Sequence, residues 1–223
     1  MRTLLFDIDG TLMSTGGAGM RAIGQAMKEM FGTDRLPEME VHGRTDRFIF
    51  QELLGQAQLD FDQHFIPLSQ RYWELLPQTM RLTPGRLLPG VGELLQELTG
   101  SDKVKLGLLT GNARRAAEIK LERFDLETYF CFGGFGDDHA CRNDVARSAL
   151  NAAHSFLGPA LDTNDVWVIG DTVEDIRCAR AIGAKVIAVE TGGSKPEELR
   201  RAGPDMQLKT LEHGFDRVMK WLS

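Results

Sequence analysis

The stretch Leu4-Leu5-Phe6-Asp7-Ile8-Asp9-Gly10-Thr11 decides the fold. From Leu4 to Ile8 there is no alternation of polar and apolar residues, the pattern of a strand covered on both faces in a parallel sheet. Asp7 falls inside that run and Asp9 two residues later, so an extended chain points both carboxylates the same way. Two adjacent carboxylates are expensive to bury without a cation or a shared proton. A type I turn at Asp9-Gly10 accounts for the glycine but not for an acid within the apolar run.

Further apolar runs lie downstream at Val104 to Leu109, Val166 to Ile169 and Val186 to Val189, with a weaker one at Phe130 to Phe135. Helical patterns separate them near 89–100, 113–123, 142–156 and 173–183. Gly90 and Gly92 open the first of these helices, and Gly183 ends the last. Such alternation predicts an α/β fold, a Rossmann-like parallel sheet flanked by helices.

One segment breaks the rhythm. Between about Ser14 and Met80 three helical stripes replace the strands: Met20, Ile23, Met27, Met30 and Phe31; Phe48, Ile49 and Leu53; Phe61, Phe65, Leu68, Tyr72 and Leu76. The chain leaves through the glycine-rich Ser14 to Gly19 and returns through Thr83-Pro84-Gly85 and Pro89-Gly90. The expected organisation is a core of residues 1–13 and 88–223 with an inserted α-helical cap domain at 14–87. Gly17-Ala18-Gly19-Met20-Arg21-Ala22 fits G-x-G-x-x-A, but it follows the strand by several residues and no acid closes a second strand at the dinucleotide spacing, so it reads as a hinge.

Ligands of parallel sheets bind outside the carboxyl ends of the strands. Two more strand ends carry suitable groups. Thr110-Gly111-Asn112 offers a hydroxyl and backbone N–H groups at a helix start, an anion cradle that a simple helix cap would explain equally well. Gly170-Asp171-Thr172-Val173-Glu174-Asp175 places two carboxylates four residues apart across a first helical turn, where both can approach one cation. Asp171 as a mere cap would leave Asp175 unexplained.

These three motifs, in this order and spacing, resemble the first, second and fourth motifs of the haloacid dehalogenase superfamily of phosphotransferases. The helical insert resembles that superfamily's C1 cap, and within it the chain looks most like the phosphoglycolate phosphatase-like group. The resemblance implies Asp7 as nucleophile, Asp9 as acid and base, and Thr110 with Arg142 as catalytic groups holding the phosphoryl oxygens beside Gly111 and Asn112. It implies Mg²⁺ at Asp7, Asp9, Asp171 and Asp175, with Asp9 contributing its main-chain carbonyl. One position departs from the family pattern. The third motif ordinarily supplies a lysine ahead of a helix, and Arg142 stands there; Lys120 is the other cation that can fill the role. A second acid at Asp9 favours phosphate hydrolysis over dehalogenation, on a small phosphorylated metabolite such as a phosphoglycolate-like ester or a sugar phosphate. A phosphosugar mutase, a pyrophosphatase and a non-catalytic phosphate-binding regulator remain as alternatives.

In the cap, His42-Gly43-Arg44-Thr45-Asp46-Arg47 lies between helical stripes. Thr45 can simply cap the following helix. A loop at the end of a hinged cap can also face the crevice, and Gly43 permits close approach, so Arg44 and Thr45 are expected at the substrate. The loop resembles the substrate-specificity loop of capped phosphatases.

Composition narrows the partners. Lys+Arg 26 against Asp+Glu 32 gives a net charge of −6, with no basic field for nucleic acid or an anionic membrane. Three dispersed cysteines without a C-x-x-C pair suit a reducing compartment. No apolar stretch reads as a signal peptide or a membrane span, and the expectation is a cytoplasmic enzyme without an obligatory protein partner. The five histidines form no i, i+4 pair and no serine-linked motif.

Overall fold

The computed structural model describes residues 1–158 and 161–222. In chain order the elements are β1 (Arg2–Phe6), β2 (Met13–Ser14), α1 (Ala18–Phe31), α2 (Asp46–Gln56), α3 (Phe61–Leu82), β3 (Arg86–Leu87), α4 (Val91–Thr99), β4 (Val104–Leu109), α5 (Arg114–Glu122), β5 (Phe132–Gly134), α6 (Arg142–Leu157), β6 (Val166–Gly170), α7 (Val173–Ala181), β7 (Lys185–Val189), α8 (Pro196–Ala202), β8 (Met206–Leu208) and α9 (Leu211–Leu222).

Six parallel strands form one sheet in the order β5-β4-β1-β6-β7-β8. Alternate residues of each strand face opposite sides. Leu4, Phe6, Leu106, Leu108, Trp167 and Ile169 pack with α4, α5 and α9. Leu5, Val166, Val168 and Val186 pack with α6, α7 and α8. The chain builds outward from β1 in one direction and then resumes at β6 on the other side, so a crevice opens between the carboxyl ends of β1 and β6. Asp7 and Asp171 each follow one of these strands by a single residue. The apolar run that contains Asp7 thus stops being strand at Phe6, while Ile8 remains fully buried beneath the turn.

The insert is helical, as its stripes imply. Its helices α1, α2 and α3 share a second apolar cluster, centred on Ile23, Met27, Phe50, Leu53, Leu68 and Leu76, which extends onto Ala113, Ala116 and Ile119 at α5. A stripe at helical spacing carries α3 through Pro67 and Pro77. Where the chain leaves and re-enters, Met13–Ser14 and Arg86–Leu87 pair as a two-residue antiparallel ladder. This ladder, β8, α8 and α9 have no counterpart in the sequence reading. Among the described residues no helix is long and apolar enough to cross a membrane.

Candidate active site

A cavity of about 370 Å³ lies above the β1 and β6 ends, between the sheet and the helical insert. Its floor is assembled from turns that the sequence makes tight. The Ile8 carbonyl accepts from the N–H groups of Leu12 and Met13, folding Asp9, Gly10 and Thr11 into a compact loop. Gly10 has φ 84°, and a Cβ there would lie 2.4 Å from an Asp171 carboxylate oxygen. Only glycine combines that backbone with so close an approach.

Asp7 is buried, and its Oδ1 stands 3.0 Å from Nη2 of Arg142. The same Nη2 donates to Asp175 Oδ1 at 2.6 Å, so one guanidinium nitrogen bridges two carboxylates from different elements. Asp175 itself is fully buried, and its other oxygen accepts from the Thr172 N–H and hydroxyl. Thr172, rather than Asp171, caps α7, in a capping box with Asp175. Asp171 accepts from the Gly193 N–H at 2.6 Å and from the Thr11 hydroxyl at 3.1 Å.

Asp7, Asp171 and Asp175 each offer an oxygen within 4.8 Å of the others, all three side chains buried. Burial pushes the Asp7 carboxyl up to about 6 against the opposing pull of Arg142. Burial, then Asp175 and Asp7, hold the Asp171 carboxyl well above the usual range. The Arg142 guanidinium pairs with Asp7 and Asp175 and not with Asp171, and Gly10 and Gly192 leave room around Asp171 that a side chain would fill. Hard oxygen donors with excess negative charge in a closed cradle fit a divalent cation such as Mg²⁺.

The second half of the floor comes from the turn after β4. Asn112 donates to Asp9 Oδ2 at 2.8 Å and to the Thr110 hydroxyl at 2.8 Å. Lys120 reaches in from α5, 4 % exposed, with Nζ 2.6 Å from Asp9 Oδ2 and 2.5 Å from Asn112 Oδ1. Burial would raise the Asp9 carboxyl, yet Lys120 and Asn112 together hold it below its ordinary value. Arg142 and Lys120 are therefore not alternatives: the site contains both, one on each aspartate of the first motif. Thr110 is fully buried behind Asn112 and does not line the cavity; its oxygen supports the Asn112 side chain. Gly111 and Asn112 do line it.

The cap loop sits on this floor. The Asp46 N–H donates to the Gly111 carbonyl at 2.7 Å, and the Arg47 N–H to that of Gly136 at 3.4 Å. Gly111 is in turn so close to Arg44 that a Cβ would lie 2.1 Å from its carbonyl oxygen. Of the two loop residues expected at the substrate, Arg44 lines the cavity and Thr45 does not. The exposed Arg44 carries its guanidinium 5.0 Å over the ring of Phe48 in α2, and its carbonyl sits close against Gly111. Thr45 caps α2 by accepting from the Phe48 N–H, and its hydroxyl donates to the Ala140 carbonyl.

Two cavity residues lie outside the motifs. Asp46, buried, accepts from the Ala113 N–H at the start of α5, a helix whose own residues supply no side-chain cap. Burial raises its carboxyl to about 6, with Lys120 and the Ala113 bond opposing. Tyr72, 1 % exposed, brings its hydroxyl near the same place, since a Cβ on Gly19 would lie 3.7 Å from that oxygen and 4.0 Å from Lys120 Nζ. A lysine within the apolar spacing of Ala116, Ala117 and Leu121 was the one sequence signal for this inner cluster.

Comparison with known proteins agrees with this architecture. Residues 4–189 match the model of the haloacid dehalogenase-like hydrolase family. A phosphoglycolate phosphatase of Synechococcus elongatus is 29 % identical over 210 residues, covering 94 % of this chain and 93 % of that protein. The fold recurs in a hydrolase from Pseudomonas syringae, at a TM-score of 0.77, 21 % identity and full coverage of both chains (100 % each). It recurs also in CbbY from Rhodobacter sphaeroides, solved in complex with phosphate, at a TM-score of 0.74, 20 % identity and 96 % of each chain.

Proposed function

The chain belongs to the haloacid dehalogenase-like hydrolases, in their phosphoglycolate phosphatase-like group, and is a phosphatase; from that premise we propose that it cleaves a small phosphate ester with Mg²⁺ through a phosphorylated Asp7. The observation that carries this reading is the convergence of Asp7, Asp171, Asp175 and Arg142 at the β1 and β6 ends. Asp7 attacks phosphorus in line with the leaving alcohol. Asp7, Asp171 and the Asp9 main-chain carbonyl, with Asp175 behind them, would hold Mg²⁺, which would supply positive charge to offset the repulsion between a carboxylate and a phosphate. Arg142 and Lys120 with the N–H groups after Asp7 and Thr110 stabilise the equatorial oxygens. Asp9 gives a proton to the departing alcohol and later takes one from the water that hydrolyses the acyl-phosphate. The helical layer excludes bulk water from these steps. Free cysteines at 131, 141 and 178 are consistent with a cytoplasmic setting for this activity.

Release of nitrophenol from nitrophenyl phosphate, with and without a chelator, tests the reading. Activity should vanish on chelation and return with added Mg²⁺. Asp7→Asn should release no phosphate while keeping the wild-type circular dichroism. Turnover by that variant at the wild-type rate, or unaltered activity in chelator, overturns the mechanism.

A further inference from the structure

Asp46 opens α2 in the cap, yet it grips the core turn after β4 at two points. Its N–H donates to the Gly111 carbonyl at 2.7 Å, and its Oδ2 accepts from the Ala113 N–H at 2.8 Å. The residue between those points is Asn112, whose side chain donates to Asp9 Oδ2 and accepts from Lys120 Nζ. The same grip completes α5. A helix leaves its first N–H groups without intrahelical partners. At the start of α5 the Ala113 N–H goes to Asp46 and the Arg114 N–H to Asp137 Oδ2 at 2.7 Å, so both acids are lent by distant segments. Farther along the helix, Ala116 and Ile119 join the apolar cluster of the insert, and the next residue, Lys120, reaches Asp9 Oδ2 at 2.6 Å. Asn112 and Lys120, which hydrogen-bond the Asp9 carboxylate, thus both stand on the segment that Asp46 and the insert fix.

Resting on the phosphatase reading above, we propose that Asp46 is a positioning residue for the acid–base work of Asp9. With the cap loop seated, Asp46 holds Gly111 and Ala113 and so aims Asn112 and Lys120 at Asp9. When the loop lifts, that hold on both is lost together. The proton donor to the leaving alcohol is therefore in register only while the site is covered, and an open site carries its acid slack. A catalytic group misplaced by about 1 Å loses about 10²-fold in rate, which sets the scale of the effect.

Phenyl and nitrophenyl phosphate are close in shape, but phenoxide departs far less readily than nitrophenoxide without a proton. As the Asp7 oxygen bonds phosphorus and the P–O bond to the phenol breaks, the phenol oxygen takes the Asp9 proton; kcat/KM reports this first transfer. Asp46→Ala keeps the main-chain bond to Gly111 and removes the acceptor for Ala113. It should lower kcat/KM by about 10²-fold for phenyl phosphate and by about tenfold or less for nitrophenyl phosphate. Asp46→Asn retains an oxygen for the Ala113 N–H and should keep the ratio between the two esters within about threefold of wild type. Should Asp46→Ala not fold, Asp46→Ser, whose hydroxyl ends one bond short of the carboxylate oxygen, takes its place with the same expectation. Equal effects on the two esters, or a ratio that shifts as far in Asp46→Asn as in the truncated variant, overturns the assignment. Failure of the wild type to release phosphate from either ester would overturn the parent reading instead.

Discussion

Nη2 of Arg142 lies 3.0 Å from Asp7, the acid that follows the first strand, although 135 residues separate them and neither belongs to the other's motif. The guanidinium is 5 % exposed, and Asp175 holds it from the far side at 2.6 Å. Two buried acids thus fix one cation so that a phosphoryl group arriving at Asp7 meets a donor already in position. Preorganised charge of this sort needs no reorganisation during the reaction.

Arg142→Ala should lower kcat/KM by about 10² to 10³-fold and leave Asp7 and Asp175 buried without their partner, with a loss of stability of about 3 kcal/mol. Arg142→Lys supplies a point charge at the same place and should retain activity within about tenfold of wild type. Steady-state kinetics and urea unfolding on both variants check this. An inactive lysine variant beside an active alanine one would refute the role.

Lys120→Met keeps the apolar stem in the α5 stripe but removes the ammonium beside Asp9. Without that charge the Asp9 carboxyl should titrate higher, and because the leaving alcohol needs Asp9 protonated, the alkaline limb of the kcat/KM profile should move to higher pH. The rate with a poor leaving group should fall by about 10 to 10²-fold. An unmoved profile would show that Lys120 serves only packing.

Asp46 links stability to pH. Its folded-state carboxyl is raised to about 6 from 3.8, so the native state holds this proton more tightly than the unfolded chain. The corresponding stabilisation is complete below the unfolded value and is lost as pH rises through about 6. Between about pH 4 and pH 7 the wild type should therefore lose about 2 kcal/mol more than Asp46→Asn does, read from urea unfolding of both at each pH. Parallel curves would mean that the carboxyl is not raised.

Gly111→Ala would place a methyl group 2.1 Å from the Arg44 carbonyl oxygen. Backbone cannot yield there without releasing the Asp46 N–H from Gly111, so the cap loop should lift. The expected result is a KM raised by about tenfold with the melting temperature lowered by only a few degrees, since the sheet is untouched.

The legible parts of the molecule were those set by local pattern. β1, β4, β6 and β7 are near-continuous apolar runs, and a strand's end is where its buried residues give way to polar ones, so Asp7 and Asp171 could be placed before any tertiary contact was known. The cap helices followed from stripes of period 3.6. Lys120, Asp46 and Tyr72 were harder because each projects from a helix toward a partner far along the chain, and helical spacing gives a face but not what that face meets. Arg44 shows the limit most clearly. The loop position was read from its hinge and glycine, whereas the place of the guanidinium over Phe48 and the seat of the Arg44 carbonyl against Gly111 show only in the structure. Short elements such as β2, β3 and β8 have too few residues for a period to show.

The seating of residues 44–47 on Gly111 and Gly136 carries a kinetic consequence. These are main-chain bonds, present whatever side chains the loop bears, and they roof the space above Asp7. Any lifting of this loop breaks both bonds whatever ester is bound, so that cost is common to every substrate. Selection on the side chains of the roof would then change which ester is processed without altering how fast the door swings. The ceiling on turnover would be a property of the backbone, inherited unchanged by variants of quite different taste.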